Sequence, residues 1–208
     1  MKNQGIFSLL NQLIKHPIYT RIVFIWLALF CLANAGVNAG EMLDARINIG
    51  LKLFRAILAA DLQIKTKKNA NKELPLLLIY KDNPKRGQQF AQYLLQLGKK
   101  NSPAQIKKIP LRVSYISYQT FLVGQHERPA GIFLVDQMSS KELAAITRYG
   151  IQNQLITFSP FEGDVQKDIA AGLSIGARVR PEINITTLNA SEIKIKAFFL
   201  KVAKKHEP

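Results

Sequence analysis

The sequence predicts a single-domain α/β layered fold, with a largely parallel sheet flanked by helices and a C-terminal hairpin plus helix. Three observations predict it. Apolar runs of strand length, ELPLLLIY, PAGIFLVD and QLITFS, alternate with segments whose apolar residues recur at intervals of three and four. Helix caps and breakers separate them, as expected of β and α units laid down in turn. The 208 residues suffice for one substantial core.

Taken in order, Ile47, Leu51, Phe54 and Ile57 or Leu58 share one face of a helix from about Met42 to Ala60. KTKKNANK, Lys65 to Lys72, is a charged link without apolar residues, and ELPLLLIY follows as a buried strand. Asp82-Asn83-Pro84 stops that strand and caps a helix burying Phe90, Tyr93, Leu94 and Leu97. IPLRVSYIS alternates and is rich in β-branched residues, PAGIFLVD is a second buried strand, and SSKELAAITRYG is a helix with a serine cap and a terminal Gly150. After the strand QLITFS, GLSIGARVRPEINI gives two short strand pieces about Arg178 to Arg180. A last helix is expected from Ser191 to Lys205, capped by Asn189 with Glu192 in capping-box position. On its wheel Ile195, Phe198, Phe199 and Val202 form one stripe, with Lys194, Lys201, Lys204 and Lys205 opposite.

Residues 1–39 read as a signal peptide: Lys2, Lys15 and Arg21 without an acid, then the apolar Ile22 to Ala35, then small residues allowing cleavage after Ala35 or Ala39. An uncleaved anchor is the alternative. Either way residues 40–208, the α/β domain, are expected outside the cytoplasm. Cys31 is the only cysteine and lies in the apolar run, so thiol chemistry and cysteine-ligated metals are excluded from the domain. With 29 Lys and Arg against 14 Asp and Glu, anionic partners are favoured, nucleic acid being the least expected outside the cytoplasm.

Little else in the chain suggests chemistry. His16, His126 and His206 show no metal-ligand spacing, and there is no nucleophile elbow, Walker loop or dinucleotide fingerprint. No catalytic residue, metal or cofactor is therefore assigned. Glu162, Asp164 and Asp168 in SPFEGDVQKD read as a solvated acidic loop, favoured over a cation site or an acid/base pair because the calcium-loop order is missing. In YKDNPKRG a strand end meets a helix start, where Lys81, Asn83, Lys85 and Arg86 could hold an anion or could be a plain helix cap with solvated basic neighbours.

QLITFS, Ala171-Gly172-Leu173, Arg180-Pro181-Glu182-Ile183-Asn184 and Phe199-Leu200-Lys201-Val202-Ala203-Lys204 fall in an order that resembles the YfiR-like family of bacterial periplasmic proteins. The resemblance covers about Ile47 to Lys204, and Gly172, Ile183, Asn184, Leu200 and Ala203 match its structural motif. It implies a non-enzymatic regulator that binds and represses an inner-membrane signalling protein, a diguanylate cyclase, through its periplasmic part. Cyclic di-GMP would fall and biofilm formation would be restrained. A homodimer and peripheral membrane contact are compatible with it. On this reading the tail closes the sheet, with Ile183 buried and Asn184 bonding backbone at the strand-to-helix turn. The alternatives are a periplasmic small-ligand-binding protein using the Tyr80 to Gly87 turn, or a cationic envelope-surface-binding protein.

Overall fold

The computed structural model describes residues 40–98 and 104–207. The expected signal peptide, with His16 and Cys31, lies outside the described residues. The chain divides into two units, Met1–Ala45 and Arg46–Pro208. Of the first, residues 40–45 are described and are helical. The second begins with α1, helical over 46–60, in which Ile47, Leu51, Phe54, Ile57 and Leu58 are all fully buried.

The elements then run β1 (Leu74–Tyr80), α2 (Pro84–Gln96), β2 (Gln105–Ile106), β3 (Ile109–Ser117), α3 (Tyr118–Val123), β4 (Gly131–Leu134) and α4 (Ser140–Gln152). They continue as β5 (Ile156–Ser159), β6 (Ala171–Ile175), β7 (Val179–Asn184), α5 (Ile185–Ala190), α6 (Ala197–Val202) and β8 (Lys204–His206). The described strands form one sheet in the order β2-β3-β1-β4-β5-β6-β7-β8. β3, β1, β4, β5 and β6 are parallel, β7 returns antiparallel to β6, and β8 lies parallel to β7. The α/β layered fold is therefore as the strand and helix alternation predicts. From β1 the chain steps out to β3 and then back across β1 to β4, so the sheet changes winding direction between β1 and β4.

Alternation of side chains along the strands gives the sheet two buried faces. On one, Leu77, Ile79, Ile132 and Leu134 pack with Tyr118 and Phe121 of α3 and Leu143 and Ile146 of α4. On the other, Phe133 and Phe158 stack with centroids 5.5 Å apart and meet Phe54 of α1 at 5.6 and 5.8 Å. Close approach of α1 needs a glycine beneath it, because a Cβ on Gly131 would stand 2.9 Å from Leu58 and 3.0 Å from Phe54. α2 lies on this second face too, with Gly87 against Tyr80 and Tyr115.

Two expectations are corrected. Gly150 does not end its helix: α4 runs on to Gln152 with Asn153 as its C-cap, and Gly150 is buried where a Cβ would meet Thr157 at 2.7 Å. Close packing on β5 explains that glycine, not a left-handed cap. Nor is there one helix from Ser191 to Lys205. Ser191 closes α5, Glu192 takes a left-handed φ of 54°, and the next residues are extended. Ile195 bridges Asp61, Leu62 N donates to Lys194 O at 2.9 Å, and Lys196 N donates to Ala60 O at 3.0 Å. Glu-Ile-Lys-Ile-Lys, read at period two, carries this signal: Ile193 and Ile195 are buried, Lys194 and Lys196 exposed. The wheel's stripe is thus broken, with Ile195 and Phe199 buried but Phe198 63% and Val202 57% exposed. Asn189 lies inside α5 and caps nothing; Asn184 is the N-cap of α5.

Candidate functional site

The strand-end turn expected to hold an anion is built around Asn83, whose Oδ1 accepts from Arg86 N at 3.3 Å and starts α2. Its cations meet carboxylates of the protein. Lys81 Nζ donates to Glu142 Oε2 at 3.2 Å, and Arg86 Nε lies 3.5 Å from Asp136 Oδ1, with its guanidinium 5.5 Å over the Phe90 ring. Asp136 also accepts from Lys81 N at 2.9 Å. Burial raises the pKa of Glu142, but hydrogen bonds from Ser139 N and Oγ and the charge of Lys81 outweigh it, leaving the carboxyl below its ordinary value. Lys85 points to solvent. Glu142 and Asp136 come from α4 and the end of β4, so the group ties β1 to its neighbour, and no cavity described below is lined by these cations.

Of the residues singled out by the resemblance, Gly172, Ile183 and Asn184 gather elsewhere, where β6, β7 and α5 meet. Gly172 sits where a Cβ would stand 2.6 Å from Val165 Cγ2 and 2.8 Å from Ser159 O. Ile183 pairs with Ala171 and is fully buried. Asn184, also fully buried, donates from Nδ2 to Val165 O at 3.0 Å and accepts from Thr187 N at 2.9 Å. Leu200 lies in α6, with Leu200 N donating to Lys196 O at 3.4 Å, and Ala203 is the C-cap of α6.

The acidic loop is not uniformly solvated. Glu162 and Asp168 are exposed, but Asp164 is fully buried, so the three do not make an acid pair. Ser159 Oγ donates to Asp164 Oδ2 at 2.6 Å, while Oδ1 is buried without a hydrogen-bond partner. Desolvation pushes this carboxyl up, opposed by the Ser159 bond and by the charges of Lys167 and Arg46. A carboxyl raised on folding favours the folded state at low pH, and that contribution is lost as pH rises through the folded value. Asp164→Asn is therefore expected to raise stability at pH 7 relative to pH 4, flattening the pH dependence of urea midpoints; an unchanged profile would refute the assignment.

His126 is likewise structural in its setting. It stacks on Phe121 at 5.4 Å and meets Tyr149 edge-on at 5.5 Å, with Nδ1 3.0 Å from Glu127 O.

A polar cavity of about 370 Å³ lies at the opposite end of the sheet from the strand-end turn. Its walls are the short 3₁₀ turn Ile64–Lys67 with the link after it, Pro75 at the start of β1, the segment before β4, and the α4–β5 connection. Lys67 is tied to buried Asp61 at 2.8 Å, Arg128 Nη2 donates to Asn153 O at 2.8 Å, and Asn69 Oδ1 accepts from Glu73 N at 2.9 Å. Lys68 is exposed at its rim. Sequence reasoning took this segment for a link; its dense lysine and amide side chains were the signal that could have found it. A smaller cavity, of about 210 Å³, is lined by Arg46, Glu162, Gln166, Glu182 and Lys204, with Glu182 already bonded to Gln166 and Lys204 at 2.8 Å each.

Among the described residues no group of three His, Cys, Asp or Glu side chains is placed to hold a metal ion, and no helix is long and apolar enough to cross a membrane. No family model and no curated protein matches the chain. It is similar to a solved structure, an ABC domain in complex with L-Trp from Streptococcus pneumonia, at 10% sequence identity and a TM-score of 0.44. That match covers 72% of this chain and 61% of the other, so the chain spans less than two thirds of that structure.

Proposed function

We propose that this chain is a non-catalytic binding domain acting in the periplasm, and that the cavity beside the 3₁₀ turn takes a small polar anion. The cavity carries the reading. Its volume of about 370 Å³ lies within the range typical of small-molecule sites, roughly 300–1,000 Å³. Lys68 and Arg128 supply positive charge, and Gln63, Asn69 and Gln154 supply amide groups able to donate and accept. Calorimetry of the full chain with succinate, citrate, glutamate and phosphate tests it. One of these should bind, and Lys68→Ala with Arg128→Ala should weaken it about tenfold or more, whereas Lys85→Ala should not. Silence across the panel, or wild-type affinity in the double variant, would sink this reading.

A second reading is favoured by apolar side chains left in solvent in the C-terminal part of the chain. Ile175 and Val179 face each other across the β6–β7 hairpin while 51% and 48% exposed, and Phe198 stands out from α6 with Lys196 Nζ 6.0 Å from its ring. Exposed apolar side chains of this kind suit a protein partner. Together with the resemblance to the YfiR-like family, it supports a regulator that binds an inner-membrane diguanylate cyclase and represses it, lowering cyclic di-GMP. Pull-down of the full chain from solubilised envelope separates the readings. Retention of a membrane protein bearing a cyclase domain through 0.5 M salt, a screening length of about 4 Å, supports the regulator, and its absence counts against it.

A further inference from the structure

We propose that the cleft between α1 and β2 is a second binding site, and that it takes a phosphate group. The cleft is open, about 430 Å³, and is lined by Lys52, Arg55, Ala56, Ala59, Leu97 and Lys107 among others, with no carboxylate in its wall among the described residues. Lys81, Arg86 and Lys67, by contrast, each meet an acid.

Two of the three cations are held in place by backbone. Arg55 Nη1 donates to Leu97 O and Nη2 to Gln105 O at 3.1 Å, which fixes the guanidinium plane, and its Nε is buried without a partner. Lys107 Nζ donates to Asp61 O at 2.7 Å. Holding these groups in advance lowers the ordering cost that a ligand must meet.

The backbone beneath Lys107 is itself unusual. Lys107 and Lys108 are the two residues joining β2 to β3, across which Ile106 pairs with Ile109, and their φ values are 50° and 68°. A two-residue hairpin loop with both φ positive ordinarily takes Asn-Gly or Asp-Gly. Lysines are strained there, and strain of this kind gathers where a side chain is needed in a fixed place. Burial, then the charge of Lys196 and, less, of Lys65, pushes the Lys107 pKa down, with Asp61 opposing. A bound anion would relieve that repulsion.

The one N–H left on each Arg55 Nη, together with two ammonium groups, fits a tetrahedral anion of two or more charges better than a carboxylate, which a single free guanidinium fork satisfies. The phosphate could be free or carried on a lipid headgroup. Pyrophosphate is titrated calorimetrically into the full chain at low salt. Sedimentation is then compared between phosphatidylcholine vesicles with and without phosphatidic acid, so that the apolar N-terminal segment cancels.

Binding of pyrophosphate assigns the site to soluble phosphates. A gain seen only with phosphatidic acid vesicles assigns it to a headgroup. In either case Lys52→Gln with Lys107→Gly should lower affinity tenfold or more, while Lys107→Gly alone melts no lower than wild type because glycine relaxes the left-handed turn. Lys68→Ala, at the separate polar cavity, should leave this binding unchanged. No response from the wild-type chain to either probe, or wild-type affinity in the double variant, overturns the proposal.

Discussion

Asn184→Ala is expected to lower the free energy of unfolding by about 2–4 kcal/mol, the sum of a lost helix cap and a buried backbone carbonyl left without its donor. One side chain serves both: Oδ1 accepts from Thr187 N at 2.9 Å to start α5, and Nδ2 donates to Val165 O at 3.0 Å in the short turn after β5. The side chain is 0% exposed, so bulk water does not compete for these bonds. Its own backbone N donates to Ala170 O at 3.1 Å, so strand, turn and helix all converge on it. Asn184→Asp keeps the acceptor and loses the donor, so its urea midpoint should fall between those of wild type and Asn184→Ala. Equal midpoints for the two variants would show that the Thr187 cap bond contributes nothing, and a wild-type midpoint for Asn184→Asp would show that the Val165 bond contributes nothing.

Phe133→Ala is expected to cost about 3–5 kcal/mol, because it removes a fully buried ring and leaves a cavity that the layers cannot close. Phe133 stacks nearly parallel on Phe158, with an interplanar angle of 11°, and leans on Phe54 at 53°. These rings join α1 to β4 and β5. Phe133→Leu should cost much less, about 1.5 kcal/mol or under, since volume and apolar character are nearly kept. Urea unfolding followed by circular dichroism measures both, and a cost below about 2 kcal/mol for the alanine would mean that the site collapses around the gap.

How legible each part was follows from how local its cause is. The five parallel strands and helices α1, α2 and α4 were readable because each buries its own apolar face or run, and periodicity records that. Asn83 and Ser139 were readable as caps because the bonds they make lie within three residues. α3 was missed, since in six residues it shows less than two turns of pattern and ends on Gly124 at φ 74°. β8 was also missed. Lys-Lys-His has no strand signal and is extended because Glu182, Ile183 and Asn184 offer it an edge.

The C-terminal tail shows the same division within one stretch. Its apolar residues satisfy a helical stripe and, at Ile193 and Ile195, a strand alternation as well. Backbone groups at Ala60 and Leu62 decide between them by bonding Lys196 N and Lys194 O, partners more than a hundred residues distant in sequence. The proposed binding surfaces belong wholly to this second kind. Lys81 and Arg86 looked like an anion site until the fold brought Glu142 and Asp136 to them, and Lys52, Arg55 and Lys107 gave no sequence signal because α1 and the β2–β3 turn are remote along the chain.

The sequence by itself therefore determined the α/β class, the order of its main elements and the faces they bury, through patterns that each segment carries alone. Which cations are neutralised, where cavities open, and how the tail divides were decided only by tertiary structure. Charge pairing and concavity depend on distances between segments, and those distances exist only once the sheet has formed.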